Sequence, residues 1–318
     1  MLRLGHAVVL AFAIACSAFP FPPVPFEPHK IVLTNDDGWA VAQIRAQYDA
    51  LKAAGFDVIL SSPAENESGT GSASSPPQKL NITCEFDTCP VGAPPEGFNI
   101  SDPRLNYVNS FPVDSVRYGI KTLAPRFFHS PPDFIVSGPN VGNGADNLGT
   151  VIFNSGTVGA ACEAAREGLP SAAFSGDTAA QVAFTTLDSE PNSTDTLAAR
   201  TYASLTTSFT RALLASPLRP ILPHGTTVNV NFPSTAACPE AKDFSFVFTR
   251  LLPNSNGTDV RTCGNDTLPD ETTVVQGAGC FVSVTVINAT SKMDVTADLQ
   301  RPVFERLRDI LTCLPSSS

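Results

Sequence analysis

Residues 30–63 read KIVLTNDDGWAVAQIRAQYDALKAAGFDVILSSP. KIVLT is an apolar run of strand length, and Ile44, Tyr48 and Leu51 then recur at helical spacing, with Gly55 placed as a C-terminal cap. A second apolar run, FDVILSSP, follows. Strand, helix and strand in this order require a parallel pair joined by a right-handed crossover. Further along, PDFIVSGPN, SGTVGAACEAAREG and SAAFSG repeat the pattern. The expected class is α/β, a doubly wound and mostly parallel sheet.

The chain is large enough for a substantial core: it has 318 residues, 42% of them hydrophobic. Its formal net charge is -10 and no Lys/Arg cluster interrupts the acidic surplus, which argues against polymeric nucleic acid as a partner. Arg3 precedes an apolar stretch from Ala7 to Ala15, and Cys16-Ser17-Ala18 offers small residues for cleavage, so residues 1–18 read as a secretory signal. A membrane anchor is not expected, since that stretch falls short of the ~20 residues a spanning helix needs. Seven Asn-x-Ser/Thr sequons, at Asn66, Asn81, Asn99, Asn192, Asn256, Asn265 and Asn288, agree with a secreted glycoprotein. Loss of Cys16 with the signal leaves seven cysteines, hence at most three disulfides and one free thiol. Cys84 and Cys89 are placed to close a tight loop, Cys162 sits in a buried-helix pattern as the free thiol, and the pairing of Cys238, Cys263, Cys280 and Cys313 stays open.

A Pro-rich linker at 19–28 leads into a core over 29–237. Within it, residues 63–112 read as a long excursion overhanging the site. Residues 238–280 read as a protruding β arm with too few apolar residues to fold alone, which predicts packing against a second subunit in a symmetric homodimer. Residues 281–318 return as a strand and a terminal helix.

Two adjacent carboxylates at a strand end repel each other, so Asp36-Asp37 calls for a positive charge nearby. In open α/β sheets ligands bind beyond the carboxyl ends of the strands. Three polar clusters fall there: Asn35-Asp36-Asp37-Gly38, Asn66-Glu67-Ser68-Gly69 and Ser137-Gly138-Pro139-Asn140. Their donors are all oxygens, which suits Mg²⁺, Mn²⁺ or Ca²⁺ rather than zinc, with Mg²⁺ or Mn²⁺ expected. The helix start at Ser155, Gly156 and Thr157 adds backbone N–H groups and two hydroxyls, an anion site. A hard cation beside an anion pocket predicts a phosphate ester as substrate. The P-loop lysine, the dinucleotide glycine spacing and the G-x-S-x-G elbow are all missing from the sequence.

The ordered set IVLTNDDG, ENESG, SGPN and NSGTVGAA, with FPVDSVRYG, VNVNFP and VSVTVINATSKMDVTA, resembles the survival protein SurE family of metal-dependent phosphatases and nucleotidases from residue 30 to about 297. The resemblance implies a Rossmann-like core, a C-terminal arm exchanged or packed between subunits, and hydrolysis of phosphomonoesters such as nucleoside monophosphates. It implies Asp36, Asp37, Ser68 and Asn140 as metal ligands, and Asn147 with Ser155, Gly156 and Thr157 as phosphate-facing residues. Asp36 is either nucleophile or the group that orients the attacking water, and Asp114 either lines the substrate pocket or supports the fold. Departures from the family pattern bear on substrate: Glu67 stands where a basic residue is common, Asn154 replaces a tyrosine, and residues 143–146 look inserted. The leader and sequons resemble the secreted eukaryotic acid-phosphatase-like branch. The rival reading is a secreted binding or surface glycoprotein of the same fold without catalysis; the presence of all four ligand side chains argues against it.

Overall fold

The computed structural model describes residues 27–142, 147–177, 179–254 and 258–315. The expected leader at 1–18, most of the 19–28 linker, the inserted residues 143–146 and the sequon at Asn256 lie outside them. The chain runs through β1 (Lys30–Thr34), α1 (Ala42–Ala53), β2 (Asp57–Pro63), β3 (Glu96–Phe98), β4 (Leu105–Val108), α2 (Pro112–Tyr118), α3 (Ala124–Phe128) and β5 (Phe134–Val141). It continues through α4 (Gly156–Arg166), β6 (Ser171–Gly176), α5 (Thr186–Ser189), α6 (Thr194–Leu214) and β7 (Thr226–Phe232). Last come β8 (Ser245–Thr249), α7 (Glu271–Gln276), β9 (Phe281–Asn288), α8 (Ala297–Leu307) and β10 (Leu311–Thr312).

Among the described residues the strands form one sheet in the order β10-β8-β9-β7-β6-β5-β1-β2-β4-β3. Pairing is parallel except where β3 meets β4 and β7 meets β9. The strand runs are apolar on consecutive residues because helices cover both faces. Ile31 and Leu33 pack with Ile44, Tyr48 and Leu51 of α1 and with Tyr202, Leu205 and Phe209 of α6. Val32, between them in sequence, points the other way, with Ile59 and Ile135, onto Val116, Ala160 and Ala164. Under α6 the rings of Phe174 and Phe209 meet edge to face at 5.6 Å, an arrangement that adds about 0.5–1.5 kcal/mol to simple burial.

Two expectations change here. The 63–112 excursion contains β4, which lies parallel to β2, and β3 beyond it as the sheet edge. LNYV is too short to announce itself, but all four of its residues are buried. The 238–280 segment does not stand apart either. Its strand β8 pairs in register with β9 of the same chain, Ser245 opposite Phe281 through Thr249 opposite Thr285. Phe244, Phe246 and Phe248 join the main core, so this strand packs on its own chain. Disulfides Cys238–Cys280 and Cys263–Cys313 fasten it, Cys84–Cys89 closes the tight loop, and Cys162 is free and buried.

The sheet has one topological switch that matters: β1 sits between β2 and β5, with connections leaving in opposite directions. A crevice opens beyond the carboxyl ends of such a strand pair.

Candidate active site

Asn35, Asp36, Asp37 and Gly38 follow β1 directly into this crevice. Asn35 Nδ2 donates to the Gly38 carbonyl at 3.0 Å, closing a turn whose last residue has φ +115°, a left-handed value that favours glycine. The turn aims two buried carboxylates, 1% and 0% exposed, in different directions. Asp36 Oδ1 accepts the Thr157 hydroxyl at the start of α4. Asp37 Oδ2 accepts the Val141 N–H at the end of β5, 3.0 Å away, and its Oδ1 accepts Gln181 Nε2. The aspartates are thus held by the end of β5 and the start of α4.

The second predicted cluster docks on the first. Glu67 N–H donates to the Asp36 carbonyl at 2.8 Å. Asn66 Oδ1 accepts the Ser68 N–H at 2.8 Å, and Asn66 Nδ2 donates to Gln181 Oε1 at 2.5 Å. Gln181 therefore bridges the Ser68 loop to Asp37. Sequence reading missed it; the one available signal was its position shortly after β6, at the same end of the sheet.

The third cluster brings Asn140, 2% exposed, whose Oδ1 is buried without a hydrogen-bond partner. A buried amide oxygen left unpaired costs about 1–3 kcal/mol, so a donor or cation for it is chemically expected. Asn147 is fully buried, and neither Oδ1 nor Nδ2 of its side chain is paired.

Ser155 caps α4, its Oγ accepting the Val158 N–H at 3.0 Å. Its own N–H donates to Ile152 O at 3.3 Å, which leaves the first-turn amides of Gly156 and Thr157 as the ones an α-helix cannot pair internally. A methyl group on Gly156 would stand 2.8 Å from Asp36 Cβ and 3.0 Å from Asp36 Oδ2, so this helix end packs directly on the carboxylate. The Thr157 hydroxyl is engaged with Asp36, so of this residue's polar groups only the amide is left to face an anion.

Asp114 supports the fold around the site. It accepts Ser74 Oγ, Ser75 N–H and Ser110 Oγ at 2.6, 2.9 and 2.8 Å, stapling the 63–112 excursion to α2. Glu85, another residue the sequence did not single out, lies against the Gly38 turn. Burial, helped by Glu65, pushes its carboxyl up to about 8 against a backbone hydrogen bond from Ala40.

The family model for survival protein SurE matches residues 31–257, a span that holds every residue of this site. The chain belongs to the SurE family. It is 33% identical over 301 residues to an acid phosphatase of Yarrowia lipolytica, covering 83% of this chain and 81% of that one. It is 32% identical over 223 residues to 5'-nucleotidase SurE of Thermosynechococcus vestitus, covering 70% and 69%. The crystal structure of SurE protein from Aquifex aeolicus superposes with a TM-score of 0.56 at 22% identity, over 81% of this chain and 93% of that one, and supports the fold. Among the described residues, no helix of this SurE-family chain is long and apolar enough to cross a membrane. No group of three or more His, Cys, Asp or Glu gathers there as a metal site. At the β1 end lie two carboxylates, with Asn140 at the end of β5 and the Ser68 loop tied to Asp37 through Gln181.

Proposed function

We propose that this protein is a secreted, divalent-metal-dependent phosphomonoesterase of the acid phosphatase or nucleoside monophosphate phosphatase type. The observation that carries this reading is the buried pair Asp36 and Asp37, the first held against the N-terminus of α4 and the second against the end of β5, where Asn140 has a buried Oδ1 without a partner. Asp36, Asp37, Asn140 and Ser68 fit a hard cation, Mg²⁺ or Mn²⁺, because the donors are oxygens and one of them is buried without another partner. Such an ion, when bound, offsets the paired carboxylates and polarises a phosphoryl oxygen. The chain does the rest. Val141 N–H and Gln181 fix the Asp37 carboxylate, and the Thr157 hydroxyl fixes Asp36 as the nucleophile or as the group orienting the attacking water. The Gly156 and Thr157 amides receive phosphate oxygens at the positive end of α4.

The test is release of phosphate from para-nitrophenyl phosphate and from adenosine monophosphate, each with Mg²⁺, Mn²⁺ or chelator. Hydrolysis that chelator abolishes is expected; no metal-dependent release from either substrate would favour the non-catalytic binding protein. Dimerisation belongs to the reading too, supported now by the family resemblance alone, and monomer only in light scattering at micromolar concentration removes it.

Secretion is supported by three disulfides, which persist in oxidising compartments. It makes the Asn66 sequon informative. The glycan would have to attach at Asn66 Nδ2, the atom that donates to Gln181 and so ties the Ser68 loop to Asp37. Asn66 is therefore expected to stay unmodified while several of Asn81, Asn99, Asn192, Asn256, Asn265 and Asn288 carry glycans. Peptide mapping after deglycosylation in heavy-oxygen water reads this directly, and high occupancy at Asn66 in active protein withdraws Ser68 as a ligand.

A further inference from the structure

Between Val141, which touches Asp37, and Ser155, which caps the helix touching Asp36, the chain makes a short 3-10 turn at Gly149–Phe153. Asn147 stands just before it and Asn154 just after. Both ends of this turn are gripped by ionisable side chains from the C-terminal third. At its start, the Gly149 N–H donates to Glu271 Oε1 at 2.7 Å. The other carboxylate oxygen of Glu271 takes Thr285 Oγ1 at 2.9 Å and Asn229 Nδ2 at 3.1 Å, and the same Asn229 Nδ2 donates to the Asn147 carbonyl at 2.8 Å. At its finish, Lys292 Nζ donates to the carbonyls of Ile152 at 3.3 Å and Phe153 at 3.2 Å.

Glu271 is 0% exposed and Lys292 only 6%. Burying such groups is costly, and a core that needed only shape would use apolar residues of similar volume. The arrangement matches the turn's own needs instead: an acceptor for the N–H at its beginning, where a helical turn has no partner, and a donor for the last carbonyls. Both residues lie beyond residue 257, where the match to the family model ends.

We propose that Glu271 and Lys292 are positioning residues for phosphate binding, clamping the 147–154 turn at both ends so that Asn147 and the Ser155 cap keep their place relative to Asp36. This rests on the phosphomonoesterase reading above. Neither residue reaches the reacting atoms; each holds backbone that leads to Asn147 or to Ser155.

The experiment compares Glu271→Gln, Lys292→Met and Lys292→Arg with wild type in the full-length secreted protein. It reads kcat, KM for adenosine monophosphate, Ki for inorganic phosphate, and Mn²⁺ affinity by calorimetry. Glu271→Gln and Lys292→Met are expected to raise KM and phosphate Ki together by about tenfold, with kcat and Mn²⁺ affinity changed far less. Lys292→Arg, which keeps a cationic donor, should recover most of the loss. KM and Ki unchanged in folded variants, with only the melting temperature lowered, overturn the proposal and leave the pair as stabilising contacts. Should Glu271→Gln not fold, the two Lys292 variants decide alone. Wild type that neither hydrolyses the ester nor is inhibited by phosphate removes the functional reading itself, a result distinct from normal wild type with insensitive variants.

Discussion

Asp36→Asn and Asp37→Asn each reduce turnover by about 10³-fold or more, the scale expected when a group that stabilises charge at the reacting centre is lost. Asparagine keeps the shape of the turn and one acceptor oxygen, so the Val141 N–H can still be received at position 37 and the Thr157 hydroxyl at position 36. What disappears is one negative charge from a pair that sits 1% and 0% exposed beyond β1, and at position 37 the acceptor for Gln181 Nε2 as well. Mn²⁺ affinity therefore falls with turnover. The metal-free Asp36→Asn variant melts no lower than the metal-free wild type, because a repulsion has been removed, whereas in Asp37→Asn that gain is set against the lost Gln181 contact. Steady-state kinetics with calorimetric metal titration and a thermal melt check the three parts together, and unaltered turnover in either variant removes the assignment.

Gly156→Ala is the second large effect. Alanine ordinarily stabilises a helix by about 0.8–1.0 kcal/mol relative to glycine, so propensity alone predicts a gain. The position allows none: the added methyl would lie 2.8 Å from Asp36 Cβ, 2.9 Å from Pro112 Cγ and 3.0 Å from Asp36 Oδ2. Asp36 belongs to a turn closed by Asn35 and Gly38, and Pro112 opens α2, so neither swings aside as a flexible chain would. The helix end or the carboxylate must shift, and displacement on the ångström scale at a reacting centre costs about 10²-fold in rate. A drop of that order in kcat/KM with Mn²⁺ binding weakened is expected, whereas wild-type kinetics would mean that α4 does not bear on Asp36.

Which parts of this site could be read in the sequence follows from how far apart its partners lie along the chain. The β1–α1–β2 unit, β5, α4 and β6 were legible because their signals are local: apolar runs of strand length, helical spacing in α1, polar residues where each strand ends. The three clusters were legible for the same reason, and the switch at β1 brings them together. Gln181 was not, because its partner Asp37 is 144 residues away and nothing in the surrounding DTAAQVAF marks it. Glu271 was hidden in the same way, 122 residues from the amide it receives. The 238–280 segment was misjudged for another reason. Phe244, Phe246 and Phe248 alternate as an edge-of-core strand should, but they stand in a stretch dominated by sequons and turn residues, and average composition masked a period of two. Thr157 shows a limit of a different kind: residue type gave a hydroxyl at the helix start, but only the partner atom tells that its proton points to Asp36.

Cys162 offers a practical handle on this architecture. It is the described cysteine outside every disulfide, it lies midway along α4, and burial pushes its thiol up to about 12. In the closed protein a thiol reagent finds neither access nor thiolate. Alkylation can proceed only in molecules whose α4 has lifted from the sheet, so the labelling rate under native conditions is a clock for opening of the helix whose N-terminus packs on Asp36. Saturating metal and phosphate should slow that clock, giving a readout of occupancy that needs no turnover and no engineered probe.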